Sequence, residues 1–510
     1  MWTSLFFCAF PLATAIQQPE PAAEEPRPNV LFLLADDLGW MDVGFQNPDS
    51  FYDTPNLDRL REGGVRLTAA YAACPVCSPT RASILTGRHP ARLNTTDYFG
   101  APQPEAVLKA GREGAKRLAR FQKLPLLPAE YVPHLPLEEV TLAEALGAAG
   151  YDTFFAGKWH LGGKGFAPEA QGFDVNVAGH HRGGPYGPGR YFHPFGMPNL
   201  ESEEGDHLPA RLAEEAVDFI TAERDAPWLC YLSFYSVHTP LMGRADLVAK
   251  YEEKRAELGL EPAWGQEGER RVRQVQAHAI YAAMVEAMDE AVGEVLDALD
   301  ASGQAENTIV VFFSDNGGLS TSEGSPTSNL PLRGGKGWLY EGGVREPCTV
   351  RWPGRIPEGS DLDLPVQSVD FFPTLLAATG AAPPAGVDLD GVNVLASLRD
   401  PLGPIPEGLA ERDLFWHYPH YGNQGGFPGG ALRRGPWKLV ARYVPGEEGT
   451  TTELYHLGKD IGETNDVAEA HPEITSTLLT ELRRWQSQVD ARMPRPNPLL
   501  SSAPEGTSDD

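Results

Sequence analysis

What most restricts the fold of this chain is a recurring pair: a short apolar run, then polar residues at its C-terminal end, with helical stretches in between. Asn29–Ala35 (NVLFLLA) is apolar without alternation, as a strand buried on both faces requires, and runs into Asp36 and Asp37. Residues 151–156 predict a second such strand, followed by Gly157, Lys158, Trp159 and His160. Residues 228–235 predict a third, followed by His238, and 308–313 a fourth, followed by Asp315, Asn316, Gly317 and Gly318. Helices are expected over 55–64, over 142–150 behind a Thr141/Glu144 capping box, and over 208–224. A further helix is expected within 269–299, where Met284, Met288, Val292, Val295 and Leu299 make a stripe. Strands alternating with helices predict an α/β fold: a large, mostly parallel sheet sandwiched by helices.

The pattern changes after about residue 400. Residues 414–418, 431–443 and 452–457 read as shorter antiparallel strands, and 472–489 as a helix. The expected organisation is therefore a catalytic unit over 28–400, a smaller C-terminal α+β unit over 401–495 with an antiparallel sheet and a helix, and a flexible tail over 496–510. At the other end, residues 5–12 are almost wholly apolar and precede Ala13, Thr14 and Ala15, a small-x-small cleavage site. That predicts a signal peptide over 1–15 and a spacer over 16–27, hence a secreted or periplasmic protein. The apolar stretch is too short to span a bilayer.

In open α/β sheets, ligands bind beyond the carboxyl ends of the strands. Four strand ends here would bring Asp36, Asp37, Asp315, Asn316, Lys158, His160 and His238 to one edge. Taken singly, Asp-Asp or Asp-Asn-Gly after a strand is a common turn, and Gly-Lys a solvated one. Their convergence is what points to a site. The oxygen donors suit a hard cation, Ca²⁺ or Mg²⁺, and three carboxylates gathered without positive charge would be forced to take up protons. A formal net charge of −28 argues against nucleic acid or an anionic membrane as partner. An anionic substrate would need a local cationic pocket or a metal.

Residues 74–88 read CPVCSPTRASILTGR. Cys74 and Cys77 have the spacing of a redox or metal pair, but the second pair of a zinc ribbon is absent. A reactive dithiol or a structural disulfide is the other plain reading. Beyond these, Cys77, Pro79 and Arg81, continuing into Leu85, Thr86, Gly87 and Arg88, resemble the signature of the type I sulfatases. Asp36-Asp37, the Lys158–His160 segment, His238, Asp315-Asn316-Gly317 and Lys336 follow in that family's order across nearly the whole chain.

The resemblance implies an alkaline-phosphatase-like fold and hydrolysis of sulfate esters. It implies that a maturation enzyme oxidises Cys77 to formylglycine, whose hydrate is the nucleophile. It further implies Ca²⁺ held by Asp36, Asp37, Asp315, Asn316 and the modified Cys77, with Asp315 as nearby base. Arg81 and His160 would orient the nucleophile, with His160 accepting a proton when sulfate is expelled. Lys158 and Lys336 would grip the sulfate, and His238 would donate to the leaving oxygen.

The alcohol half of the substrate is less constrained. Trp416, His417, Tyr418, Pro419, His420 and Tyr421 suggest a sugar-binding rim with His417 and His420 as contacts; a packing patch between units is the competing explanation. His180, His181 and Arg182 form a second candidate rim. The expected substrate is a sulfated carbohydrate. A phosphonate or phosphodiester hydrolase of the same superfamily, and a non-catalytic binder of sulfated glycans, are the rivals.

Overall fold

The computed structural model describes residue 2 and residues 26–110, 118, 120–446 and 449–501. The expected signal peptide, and the spacer up to residue 25, fall outside these residues, Trp2 excepted. An eight-stranded sheet forms the centre. Its strands in chain order are β1 (Asn29–Ala35), β2 (Val65–Leu67), β3 (Asp152–Gly157), β4 (Val175–Val177), β5 (Trp228–Ser233), β6 (Thr308–Ser314), β7 (Cys348–Arg351) and β8 (Ser360–Leu362). They lie side by side in the order β8-β2-β7-β6-β1-β5-β3-β4. Only β7 runs against its neighbours, so the sheet is mostly parallel, as expected.

The unalternating sequence of β1 has its reason here. Leu31, Leu33 and Ala35 enter one hydrophobic core and Val30, Phe32 and Leu34 the other, so each face of the strand meets a helical layer. Helices Leu208–Thr221, Ala245–Glu257 and Ala279–Ala301 cover the first face; Cys77–Thr86, Leu142–Ala148 and Phe371–Thr379 cover the second. The Thr141/Glu144 capping box forms as the sequence predicts, with both reciprocal hydrogen bonds at 3.1 and 2.8 Å.

One expected element is corrected. Residues 269–278 are not helical: Trp264–Glu267 and Arg270–Arg273 make an antiparallel hairpin, and the helix begins only at Ala279, capped by His278. The C-terminal region is a four-stranded antiparallel sheet, Asp413–Tyr418, Gly429–Arg434, Trp437–Tyr443 and Thr450–His456, packed on helix Pro472–Gln488. Residues 431–443, read as one strand, turn at Gly435, whose φ of +54° is the left-handed conformation glycine accepts readily. The expected tail is anchored where it begins. Arg495–Pro496 pairs with Leu126–Leu127, and Asn497 donates to the carbonyls of Phe121 and Leu124.

The C-terminal sheet is joined to the segment that leads into Cys77. Trp416 is fully buried and its indole N–H donates to Ala72 O at 2.8 Å, while its ring meets Tyr71 edge-on. Among the described residues, no helix is long and apolar enough to cross a membrane.

Candidate active site

The carboxyl ends of β1, β3, β5 and β6 converge as the sequence predicts. Two residues there hold unusual backbone: Asp37 with φ +62° and His160 with φ +54°. Left-handed conformations in residues bearing a Cβ are costly and persist where the surroundings dictate them. Gly157 ends β3 where a Cβ would lie 1.8 Å from Ser233 O, so only glycine lets these strand ends close up.

Arg81 ties the cluster together. It lies one helical turn after Cys77, which opens helix Cys77–Thr86, and so shares its face. Its Nε donates to Asp315 Oδ2 at 2.7 Å, and its Nη1 to Lys158 O at 2.8 Å and Ser233 Oγ at 2.6 Å. Lys158 Nζ donates to Asp36 Oδ2 at 2.6 Å, and Lys336 Nζ lies 2.6 Å from Asp37 Oδ1. Asn316 Nδ2 donates to the same Asp37 oxygen at 2.8 Å. Three buried carboxylates thus face three buried cations. Burial works against the charge of Asp37, but Lys336, His238 and Lys158 outweigh it and hold its carboxyl well below the usual range. Burial pushes the Asp36 carboxyl up; Lys158 opposes this, while Asp315 and Asp37 add to it.

The donor set fits a hard cation. Asp36 Oδ1 and Asn316 Oδ1 are buried acceptors that receive no hydrogen bond among the described residues. Ligand atoms of Asp36, Asp37 and Cys77 all lie within 4.8 Å of one another. Orphaned buried oxygens are expensive unless something positive meets them.

Cys77 and Lys336 carry this cluster to a pocket of about 420 Å³ whose lining also includes His160, His238, Tyr186 and Glu323. The Cys77 thiol is pushed up by burial, although Lys158 and Lys336 pull it down, so the unmodified sulfur stays protonated. Cys74 and Cys77 are both free thiols, which removes the disulfide reading. His160 is held neutral by burial; its Nε2–H donates to Phe99 O at 3.0 Å, leaving Nδ1 as a buried lone pair with no hydrogen-bond partner among the described residues. His238 is pushed down to about 3 by burial and by Lys336. Its Nδ1 lies 2.7 Å from Thr239 O, which can only accept, so the proton sits on Nδ1. The bare Nε2 lies 3.8 Å from Asp37 Oδ2. In this tautomer His238 accepts at Nε2, and it donates there only after gaining a proton.

His417 and His420 do not reach the pocket. His417 accepts at Nδ1 from Tyr443 Oη at 2.9 Å and donates at Nε2 to Arg492 O at 3.0 Å. His420 Nε2 pairs with Thr96 Oγ1 at 2.8 Å, and its Nδ1 lies 3.5 Å from Asp97. Both are buried packing residues, so the substrate contacts expected of them are withdrawn. Loop 180–186 reaches the pocket through Gly183 and Tyr186, whereas His180 turns to Met197.

Sequence reading missed Glu323, Asn423 and Gln424. Glu323, at φ +54°, accepts from Asn423 Nδ2 at 2.8 Å, Gln424 Nε2 at 2.9 Å and Thr239 Oγ1 at 3.3 Å. All three missed residues lie on irregular loops without periodicity, where no pattern singles them out.

Comparison with known proteins agrees with this geometry. Residues 28–381 match the family model described as Sulfatase, and 335–488 that described as N-sulphoglucosamine sulphohydrolase, C-terminal. A sulfatase of Formosa agariphila is 31% identical, over 93% of this chain and 91% of its own. Human N-acetylgalactosamine-6-sulfatase is 31% identical over 76% of this chain and 68% of its own. The crystal structure of Ps i-CgsB in complex with k-i-k-neocarrahexaose superposes with a TM-score of 0.69 at 26% identity, covering 90% of this chain and 93% of that one.

Proposed function

The chain belongs to the sulfatase family and is a sulfuric ester hydrolase, and from that premise we propose that it removes sulfate from a carbohydrate, using Cys77 converted to formylglycine beside a bound Ca²⁺. The observation that carries the proposal is the position of Cys77: it opens a helix at the pocket lining, within the electrostatic reach of Lys158 and Lys336, with Arg81 one turn behind it. The relatives support a sugar substrate, since one is an N-acetylgalactosamine-6-sulfatase and another was solved with a neocarrahexaose.

Asp36, Asp37, Asp315, Asn316 and the modified Cys77 would hold the cation, with Mg²⁺ as the nearest substitute. When bound, it supplies positive charge that polarises a sulfate oxygen. The aldehyde hydrate supplies geminal hydroxyls, one to attack and one whose deprotonation frees the product. Everything else falls to side chains already in position. Lys336 and Lys158 bring fixed positive charge to the sulfate in a site where water is scarce, which strengthens their effect. Arg81 holds Asp315 at a fixed distance from Cys77, and Asp315 can take a proton from position 77. His160 presents a bare Nδ1, suited to accepting a proton. His238, neutral with a free Nε2, serves the leaving oxygen only after protonation. Residues 28–400 would form the catalytic unit and 401–495 the unit that closes it, in a chain exported by residues 1–15.

The test is free sulfate released from a panel of sulfated mono- and oligosaccharides with calcium, wild type against Cys77→Ala, together with the mass of the peptide carrying Cys77. Release that disappears in the variant, from a chain whose peptide shows the aldehyde, supports the reading. A mature aldehyde with no release from any sugar sulfate refutes the carbohydrate assignment, and faster turnover of a phosphonate would replace it.

A further inference from the structure

Behind the wall that Asn423 and Gln424 give the catalytic pocket lies a second cleft of about 510 Å³, bounded by Arg120, Arg270, Arg442, Trp338, Tyr421 and Phe427. The two cavities share one segment. Asn423 and Gln424 face the pocket, and the residues on either side of them face the cleft. That segment is pressed against the loop that carries Lys336: a Cβ at Gly426 would lie 1.7 Å from Gly337 O. Gly425, at φ +108°, takes the side chains of Arg270 and Trp338 against its Cα.

The charges in the cleft are unusual for this protein. The chain carries a formal −28, yet three guanidinium groups surround one short segment. Arg442 lies over the Phe427 ring at 4.0 Å, and Arg120 donates to Tyr421 O at 3.3 Å. Arg270 and Arg442 are exposed, and neither has a carboxylate partner among the described residues. Arg333, which also borders the cleft, shows the contrast: it is held by both oxygens of Glu267 at 2.9 Å and is not free for a ligand. Glu269 is the acid left facing the three arginines. Guanidinium groups match the paired oxygens of sulfate and carboxylate, and aromatic walls suit sugar faces.

We propose that this cleft is a subsite for an anionic group, sulfate or carboxylate, on another sugar of the same oligosaccharide, one that reaches past segment 421–427 while the scissile sulfate ester occupies the catalytic pocket. This rests on the carbohydrate reading above. The substrate class becomes a polyanionic oligosaccharide rather than a singly sulfated sugar, and the arginines supply local attraction against the global field.

The experiment compares full-length wild type with Arg270→Ala/Arg442→Ala on four substrates. These are a sulfated monosaccharide, a tetrasaccharide sulfated only at the scissile position, and the same tetrasaccharide with either a second sulfate or a uronate carboxylate. The expected result is unchanged kcat/KM on the monosaccharide. The advantage of a doubly charged tetrasaccharide should fall roughly threefold to tenfold in the variant, mainly in KM, as for two exposed charge pairs. In wild type that advantage should also shrink with salt. Which anion confers it separates the sulfate source from the carboxylate source. No advantage in wild type, or one that survives the double substitution, overturns the proposal. Binding of the doubly charged tetrasaccharide to a Cys77→Ala background, with and without the arginine substitutions, tests the subsite independently of turnover. If turnover of every sugar sulfate fails while this binding depends on the arginines, the activity reading falls and the subsite stands.

Discussion

Arg81→Lys tests whether the site depends on the shape of one guanidinium or only on its charge. The arginine makes contacts in two directions, to Asp315 through Nε and to Lys158 O and Ser233 Oγ through Nη1. A lysine ammonium, a single point at the end of a flexible stem, keeps the charge and one of these directions. Asp315 is the stronger attraction, so Lys158 O and Ser233 Oγ lose their donor. Ser233 Oγ itself donates to Lys158 O at 2.8 Å, so the carbonyl stays satisfied and only the hydroxyl oxygen is stranded. One buried acceptor left unpaired costs about 1–3 kcal/mol. In a chain this long, that lowers the melting midpoint by a few degrees at most. The effect on rate should be larger. Arg81 fixes Asp315 relative to Cys77, and a displacement of about 1 Å between reacting groups costs roughly 100-fold. The assay is steady-state sulfate release, normalised to the fraction of Cys77 converted as read by mass spectrometry, alongside thermal unfolding. The expected outcome is a roughly 100-fold loss in kcat with a small drop in midpoint. A kcat within threefold of wild type, at equal conversion, would show that charge alone suffices and that the fork geometry is irrelevant.

Three other outcomes are expected. Lys336→Met should cost roughly 10²–10³ in kcat/KM while tightening Ca²⁺ binding by calorimetry, because Asp37 loses the ammonium 2.6 Å away; unchanged calcium affinity would show that the lysine does not compete with the cation. Glu323→Gln should improve turnover of substrates with a second anionic group beside the scissile ester by on the order of fivefold, since it removes a like charge from the pocket wall; equal effects on neutral and charged neighbours would contradict this. Burial pushes the His417 imidazole down to about 4, so the folded chain binds fewer protons than the unfolded one between that pH and 6.5. Its contribution is complete above pH 6.5 and is lost as pH falls toward 4, a ceiling of about 3 kcal/mol. The midpoint difference between wild type and His417→Gln should therefore narrow in acid, and a gap that stays constant from pH 7.5 to 4.5 would rule this out.

The four parallel strands were legible in the sequence because a strand buried on both faces has to be apolar at every position. The polar residues at their ends stood out for the same reason, since Asp36-Asp37 and Asp315-Asn316 interrupt runs that admit nothing polar. The hairpin before Ala279 was missed because the helical stripe that begins at Met284 was extended too far upstream. His417 and His420 misled because aromatic and histidine-rich sequence suits a binding rim and a packed interior equally well, and only tertiary contacts to Tyr443, Arg492 and Thr96 distinguish the two. Glu323 carries no pattern at all: its place in the pocket comes from a left-handed backbone and from partners about a hundred residues away.

The indole of Trp416 donating to Ala72 O closes a late-made part of the chain over the stretch that leads into Cys77. Translation supplies residue 416 well over three hundred residues after residue 77. In the folded chain Cys77 is 2% exposed, at the lining of the pocket. If a separate enzyme converts Cys77, as proposed above, it would need the peptide before residues 413–456 dock over it. Folding itself would set the deadline for maturation. On that reading, a variant that folds faster or more tightly at this junction would carry more thiol and show less activity, although its site residues are all intact.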